Sequence, residues 1–376
     1  MENENISESL KVAGNTPVKD VEPQQPKSAG RQPGGPYPAN FQKVHNGLIA
    51  IDASSPLLSL PKPPQIKQNL FDLYKKGGVT VAFASVGGPS VEQTLQYMTW
   101  VAKNMNQDPG LMMIHKVEDI YEAKKQGKLG LVYQYQPTGM LEGDIERAFL
   151  FKQAGLGTVQ ITYNKKTIFG CGCSVENDEG LTPKGRDLVK VLNQAKIIVD
   201  VAHGGVRSAL DTIETSDSVV VNSHGNAHAI IKSPRNFPDH VLKAVAQKGG
   251  VIGICGYPNF ISTKAIPTME DFIRMTDYVV ELVGVDHVSI GMDYWFGQAG
   301  IASNEMAQKL YEYFISSGEW TTSVYAPPPW WFPEGIETPD KLANLTGALL
   351  ARGYSEEDVA KIWGGNWLRV MKEVWG

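Results

Sequence analysis

From residue 45 onward, eight short apolar runs rich in β-branched residues alternate with longer amphipathic stretches, and this alternation restricts the possible folds more than any other feature. The runs are Leu48–Ala53, Val79–Ser85, Leu129–Tyr135, Thr158–Thr162, Ile197–Ala202, Ser218–Ser223, Val251–Cys255 and His287–Gly291. The helical stretches between them are Pro64–Lys75, Ser90–Asn106, Glu142–Ala154, Pro183–Gln194, Val206–Glu214, Pro238–Gln247 and Met269–Val283. Strands that read as near-continuous hydrophobic runs suit a parallel sheet covered on both faces. Eight βα repeats with right-handed crossovers close most economically into an α/β (β/α)8 TIM barrel, which is the expected fold. The alternative is an open doubly wound sheet, which no Gly-rich dinucleotide or phosphate-loop fingerprint supports.

The 376 residues are long enough for one large barrel with insertions. Residues 1–42 are rich in Pro, Gln, Asn, Ser and Gly, with almost no apolar period, and read as a flexible or wrapping tail. Residues 43–376 then form a single barrel domain with a C-terminal helical extension. Within it, residues 294–335 look loop-like, aromatic and Pro-rich, with Trp330 and Trp331 as packing or lid residues. Thr338-Pro339 and Ser355 read as helix starts.

Composition narrows the partners. Lys plus Arg number 35 against 40 Asp plus Glu, a net charge of −5, so no electrostatic footprint for nucleic acid is present. Three cysteines cannot build a disulfide framework, and Cys171-x-Cys173 is too little for a structural zinc site. No apolar run is long enough for a membrane span or a signal peptide, so a soluble cytoplasmic protein is expected.

In such a barrel the reactive groups lie at the carboxyl ends of the strands. Read that way, strand one ends at Asp52 to Ser55, strand three at Gln134 to Gln136, strand four at Tyr163 and Asn164, and strand five at His203. Strand six ends at His224, strand seven near Cys255 and Tyr257, and strand eight at Asp293. Imidazole and carboxylate groups held on separate strands form a candidate site for Zn²⁺, Mn²⁺ or Fe²⁺. The competing reading makes the two histidines satisfied polar groups at the sheet edge. The remaining five histidines read as structural.

At "VDVAHGG", "VVNSHGNAHAIIKSPRNFPD" and "SIGMDYWFG" the chain resembles the membrane (renal) dipeptidase family of metallopeptidases, peptidase M19, among the amidohydrolase-type barrels. The likeness extends over residues 45–372 and includes the C-terminal helices. It implies that His203 and His224 match the two histidines of the family's second zinc, Asp293 an aspartate of the first zinc, and Arg235 the arginine that binds the substrate carboxylate. A guanidinium suits that task because it grips a carboxylate bidentately. The departures are as informative. The family's strand-one His-x-Asp is Ser54-Ser55-Pro56 here, its bridging glutamate falls on Gln136, and its strand-four histidine falls on Tyr163. An amide brings no charge to hold two dications together, so two zincs are not expected.

What remains is coherent for one divalent ion, zinc in the first instance, with no organic cofactor. His203, His224 and Gln136 are the expected ligands, Asp293 the general base and Tyr163 a donor to a developing oxyanion. Arg235, Asn164 and Tyr257 are expected to bind the substrate. The expected function is hydrolysis of a small amide, dipeptide or N-acyl amino acid bearing a carboxylate. A lyase or isomerase working by proton transfer on a small carboxylate, with one metal or none, is the second reading. A non-catalytic binding protein is the third. The resemblance also implies a homodimer or higher homo-oligomer.

Overall fold

The barrel forms because its strands have no wet face. In the computed structural model, which describes residues 35–58 and 69–376, β1 (Ile51–Ser55), β2 (Val81–Ser85), β4 (Leu129–Tyr135) and β5 (Leu156–Gln160) are buried at every position. Between β2 and β4 lies a short β3 (Leu111–Met113). β6 (Ile198–Asp200), β7 (Val220–Val221), β8 (Ile252–Ile254) and β9 (Val288–Ile290) complete the strands and are likewise buried. All ladders are parallel, as short crossovers through covering helices demand.

One sheet runs β1-β2-β4-β5-β6-β7, with β3 on the edge of the first half of β4, and β8 and β9 pair separately. Two links close the circle. A parallel bridge between Asn222 and Ile252 joins β7 to β8, and Asp293 N donates to Ser54 O at 3.0 Å beyond the ends of β9 and β1. The backbone N–H of Met292 also donates to the Asp52 carboxylate at 2.8 Å. The eight expected strands are therefore present, each within a few residues of its expected span. β3 and the helix Val117–Gln126 that follows it are an additional βα pair that the hydrophobic pattern did not mark.

The helices begin where local chemistry favours them. Thr182 accepts from Gly185 N with Pro183 in the first turn, and Thr268 with Asp271 and Ser355 with Asp358 form capping boxes. Three expectations need correction. The segment 294–335 contains a 13-residue helix, Asn304–Ser316, capped by Ser303, so it is not simply a loop. Thr338 starts only a 3₁₀ turn, and the helix proper spans Ala343–Ala351. A helix also starts at Phe41, and Tyr37 packs edge-on against it with ring centroids 5.4 Å apart. Those residues of the expected tail are therefore ordered against the domain, while residues 1–34 lie outside the described residues. So do residues 64–68 of the first expected helix, which is observed as Leu70–Lys76.

The C-terminal helix Asn366–Trp375 packs Trp367 on Phe83, ring centroids 4.9 Å apart, in one apolar cluster with Ile51, Val81, Val132 and Ile198. No helix among the described residues is long and apolar enough to cross a membrane. The candidate polar residues His203, His224 and Asp293 follow the carboxyl ends of β6, β7 and β9.

Candidate active site

His203 and His224 follow β6 and β7 and are buried. Both His203 and Asp293 adopt left-handed backbone conformations, φ 64° and 61°, which cost side-chain-bearing residues energy and cluster at functional sites. This backbone turns the three side chains together: the two imidazole Nε2 atoms are 3.0 Å apart, and Asp293 Oδ1 lies 3.9 Å from His224 Nε2.

The tautomers follow from the surrounding hydrogen bonds. Asn164 Nδ2 donates to the Glu319 carbonyl at 3.0 Å, so its Oδ1 faces His203 and accepts Nδ1–H at 2.7 Å. Ser223 Oγ donates to Asp200 and accepts from Gln134 Nε2 at 3.0 Å, so its remaining contact, 2.8 Å to His224 Nδ1, takes that proton as well. Asp200 is anchored by the backbone N–H groups of Ala202 and Ser223, both at 3.0 Å. Burial, and secondarily Arg235, hold both imidazoles well below their ordinary pKa, so they are neutral at pH 7. Two unprotonated Nε2 lone pairs therefore face each other. Nitrogens 3.0 Å apart can both reach one zinc-like ion through bonds of about 2.0–2.1 Å, so this half of the site fits a metal. Among the described residues no three His, Cys, Asp or Glu side chains are grouped to hold an ion by themselves.

The other half is built differently. Gln136 Nε2 donates to Ser54 Oγ at 3.1 Å and to Asp293 Oδ1 at 3.3 Å, and Ser54 Oγ donates to Asp293 Oδ1 at 3.1 Å. These neutral donors point at the carboxylate where a second cation would need anionic ligands. Burial raises Asp293 to a pKa of about 6, with Arg235, Ser54 and Gln136 pulling it back, so it is mainly ionised at neutral pH.

Tyr163 stacks on His203 with centroids 4.3 Å apart, and its hydroxyl accepts from Trp320 Nε1 at 3.5 Å. Burial keeps its phenol neutral by raising its pKa. Tyr163, His203, Gln136, Asp293 and Tyr257 line a cavity of about 470 Å³. Among the described residues the buried Tyr257 hydroxyl has no hydrogen-bond partner. Arg235 is buried behind this lining, with Nη2 donating to His224 O at 2.9 Å and Nε unpartnered. Asn164 does not line the cavity. Its amide is engaged by His203, Glu319 and Tyr325, which corrects the expectation that it meets substrate: it orients His203. Cys173 also points at Asn164, with Sγ 3.3 Å from Oδ1.

Sequence reasoning missed Asp200 and Ser223. The signal was present as an isolated acid inside "IIVDVAH" and a hydroxyl before His224, since a polar side chain buried in a strand needs a partner. It also missed Trp295, Phe314, Trp320 and Tyr325, which wall the cavity from the segment read as a loop.

A parallel (β/α)8 barrel with two histidines and an aspartate at its strand ends defines an amidohydrolase-type enzyme. The family model for membrane dipeptidase (peptidase family M19) matches residues 40–321 and 330–375, and the chain belongs to that family of metal-dependent hydrolases. An amidohydrolase from Pseudomonas aeruginosa is 30% identical, with a TM-score of 0.79 over 89% of this chain and 99% of that one. The dipeptidase tcpJ of Claviceps purpurea is 28% identical over 70% of this chain, which spans only 55% of that protein's length. A Rhodobacter sphaeroides metallopeptidase, solved with a phosphinate mimic of L-Ala-D-Ala, shares the fold with a TM-score of 0.70 at 20% identity, covering 87% of this chain and 99% of its own.

Proposed function

We propose that this chain is a hydrolase with one divalent metal ion that cleaves a small amide, dipeptide or N-acyl amino acid. The observation that carries the proposal is the pair of neutral Nε2 atoms 3.0 Å apart, each held as an acceptor by its own Nδ1–H contact. His203 and His224 would hold the ion, zinc in the first instance, with Gln136 or water completing its shell. Such an ion lowers the pKa of a bound water and polarises a carbonyl. The neutral contacts of Ser54 and Gln136 to Asp293 support a count of one.

Asp293, ionised above about pH 6, accepts the proton of the attacking water. The neutral Tyr163 hydroxyl, at the cavity wall beside His203, donates to the oxygen on which charge develops. Tyr257, which lines the cavity, packs its ring against the substrate. Arg235 has no carboxylate within ion-pair distance among the described residues, and because it sits behind the cavity lining, a substrate carboxylate reaches it only when that lining shifts. The dipeptidase of Claviceps purpurea lends the substrate class its family precedent.

A second reading rests on the same pair: without metal, the facing imidazoles relay a proton and the chain is a lyase or isomerase of a small carboxylate. The test is release of glycine from N-acylglycines by wild type, Asp293→Asn and Arg235→Met. Loss of turnover in the first variant and a raised KM with little change in kcat in the second are expected. Unchanged activity in Asp293→Asn overturns the assigned base, and an unchanged KM in Arg235→Met overturns the carboxylate contact.

A further inference from the structure

The cavity is larger and far more apolar than the cleavage site alone needs. Its inner end holds Asp293, His203, Tyr163 and Gln136. Its outer part lies between two helices, Val91–Gln107, which contributes Gln93 and Tyr97, and Asn304–Ser316, which contributes Leu310, Tyr313 and Phe314. From the second helix Phe314 starts a row of stacked rings with Trp320 and Tyr325, centroids 4.7 and 4.2 Å apart, and Trp295 packs on Trp320 at 5.3 Å. Such a pile leaves little rotamer freedom, so the wall is already formed before a ligand arrives.

Two further observations define what the wall would accept. Among the described residues the lining contains no Lys or Arg; its charged groups are Asp293 and Glu319, the latter paired with Lys165. A negatively charged arm would find no counter-ion in it. Trp295 Nε1 and Tyr257 Oη are buried beneath the wall, so these two side chains present ring carbon to the cavity. A volume of about 470 Å³ lies within the range of pockets that enclose drug-sized molecules.

We propose that the substrate carries, on the side of its scissile bond away from its carboxylate, a bulky uncharged arm with an aromatic or comparably large apolar body. The chamber between the two helices selects this arm. Leu310, Phe314 and Tyr97 set its size. This inference rests on the hydrolase reading for the location of the scissile bond, and it names the substrate class for that site.

The experiment compares three N-acylglycines by isothermal titration calorimetry on the full-length protein as purified, with glycine release followed in parallel. The acyl groups are 4-phenylbutanoyl, butanoyl and glutaryl. Burying the added phenyl ring should tighten binding of the first over the second on the order of 100-fold. The glutaryl compound should bind most weakly. Leu310→Arg puts a cation on the chamber wall and should bring the glutaryl compound level with or ahead of the phenylbutanoyl one. Equal affinity for phenylbutanoyl and butanoyl, strongest binding of the glutaryl compound, or no binding of any of the three overturns the proposal, independently of whether the Leu310 variant folds. Tight, selective binding of the aromatic compound without glycine release removes the hydrolase reading and keeps the chamber. Glycine release at equal rates from butanoyl and phenylbutanoyl does the reverse.

Discussion

Replacing Ser223 with Ala should damage the site without touching either imidazole directly. The hydroxyl is fully buried and contacts Asp200, Gln134 and His224 together. After its removal Gln134 still donates to Ala53 O at 3.2 Å, and Asp200 keeps the N–H groups of Ala202 and Ser223. His224 Nδ1–H is left without an acceptor, and Asp200 Oδ2 loses the hydroxyl that donates to it. Each stranded buried group costs ~1–3 kcal/mol, so the urea midpoint should fall by the equivalent of ~4 kcal/mol. The larger effect is chemical: with its tautomer no longer fixed, His224 loses the lone pair aimed at His203. Loss of a partner that orients a ligand typically weakens metal affinity about 10–100-fold. Competition of the variant with a zinc chelator, alongside urea unfolding, measures both. An unchanged urea midpoint together with wild-type zinc affinity would refute the argument that Ser223 sets the His224 tautomer.

Asp52 gives a pH-dependent prediction. Burial raises its pKa from the ordinary 3.8 to about 7, while hydrogen bonds from Met292 N, Ser54 N and Ser55 Oγ oppose the rise. The folded state therefore holds this proton more tightly than the unfolded chain. The penalty for ionising it is absent below about pH 4 and complete above about pH 7, with an upper bound of ~4 kcal/mol at ~1.4 kcal/mol per decade. Asp52→Asn keeps an acceptor for Met292 and should flatten that part of the pH–stability curve; a slope equal to wild type would contradict it. Far from the site, Arg352 Nε meets Asp277 Oδ2 at 2.7 Å with both side chains buried. Arg352→Met should cost ~3–5 kcal/mol in urea unfolding, and a loss below ~1 kcal/mol would show that Tyr354 Oη, which also donates to Asp277 at 2.9 Å, suffices to hold the carboxylate.

The barrel was legible because each of its strands is buried on both faces and so writes a continuous apolar run into the sequence, as in β4 and β5. β3 left no such mark: its three residues are Leu and two Met, and it pairs only with the start of β4. The helix Asn304–Ser316 was obscured by its surroundings. Met306, Leu310 and Phe314 repeat at helical spacing, but its one fully buried residue is Ala307, and the flanking aromatic and Pro-rich stretches suggested a loop. At the site, His203, His224 and Asp293 were readable as polar residues that end apolar runs. The role of Asn164 was not, because the Glu319 carbonyl that orients its amide lies 155 residues away. Ser54 and Gln136 were legible as departures from the family's pattern, while their shared contact with Asp293 Oδ1 emerges only when β1, β4 and β9 close into one ring.

The central claim is a single ion held between two neutral imidazoles. Elemental analysis of the protein purified without added metal, beside His203→Ala, tests it most directly. One equivalent of zinc or a similar divalent ion per chain in the wild type, and none in the variant, is the expected result. Two equivalents would mean that Ser54, Gln136 and Asp293 hold a cation despite their neutral contacts, and none would leave the histidine pair to proton transfer.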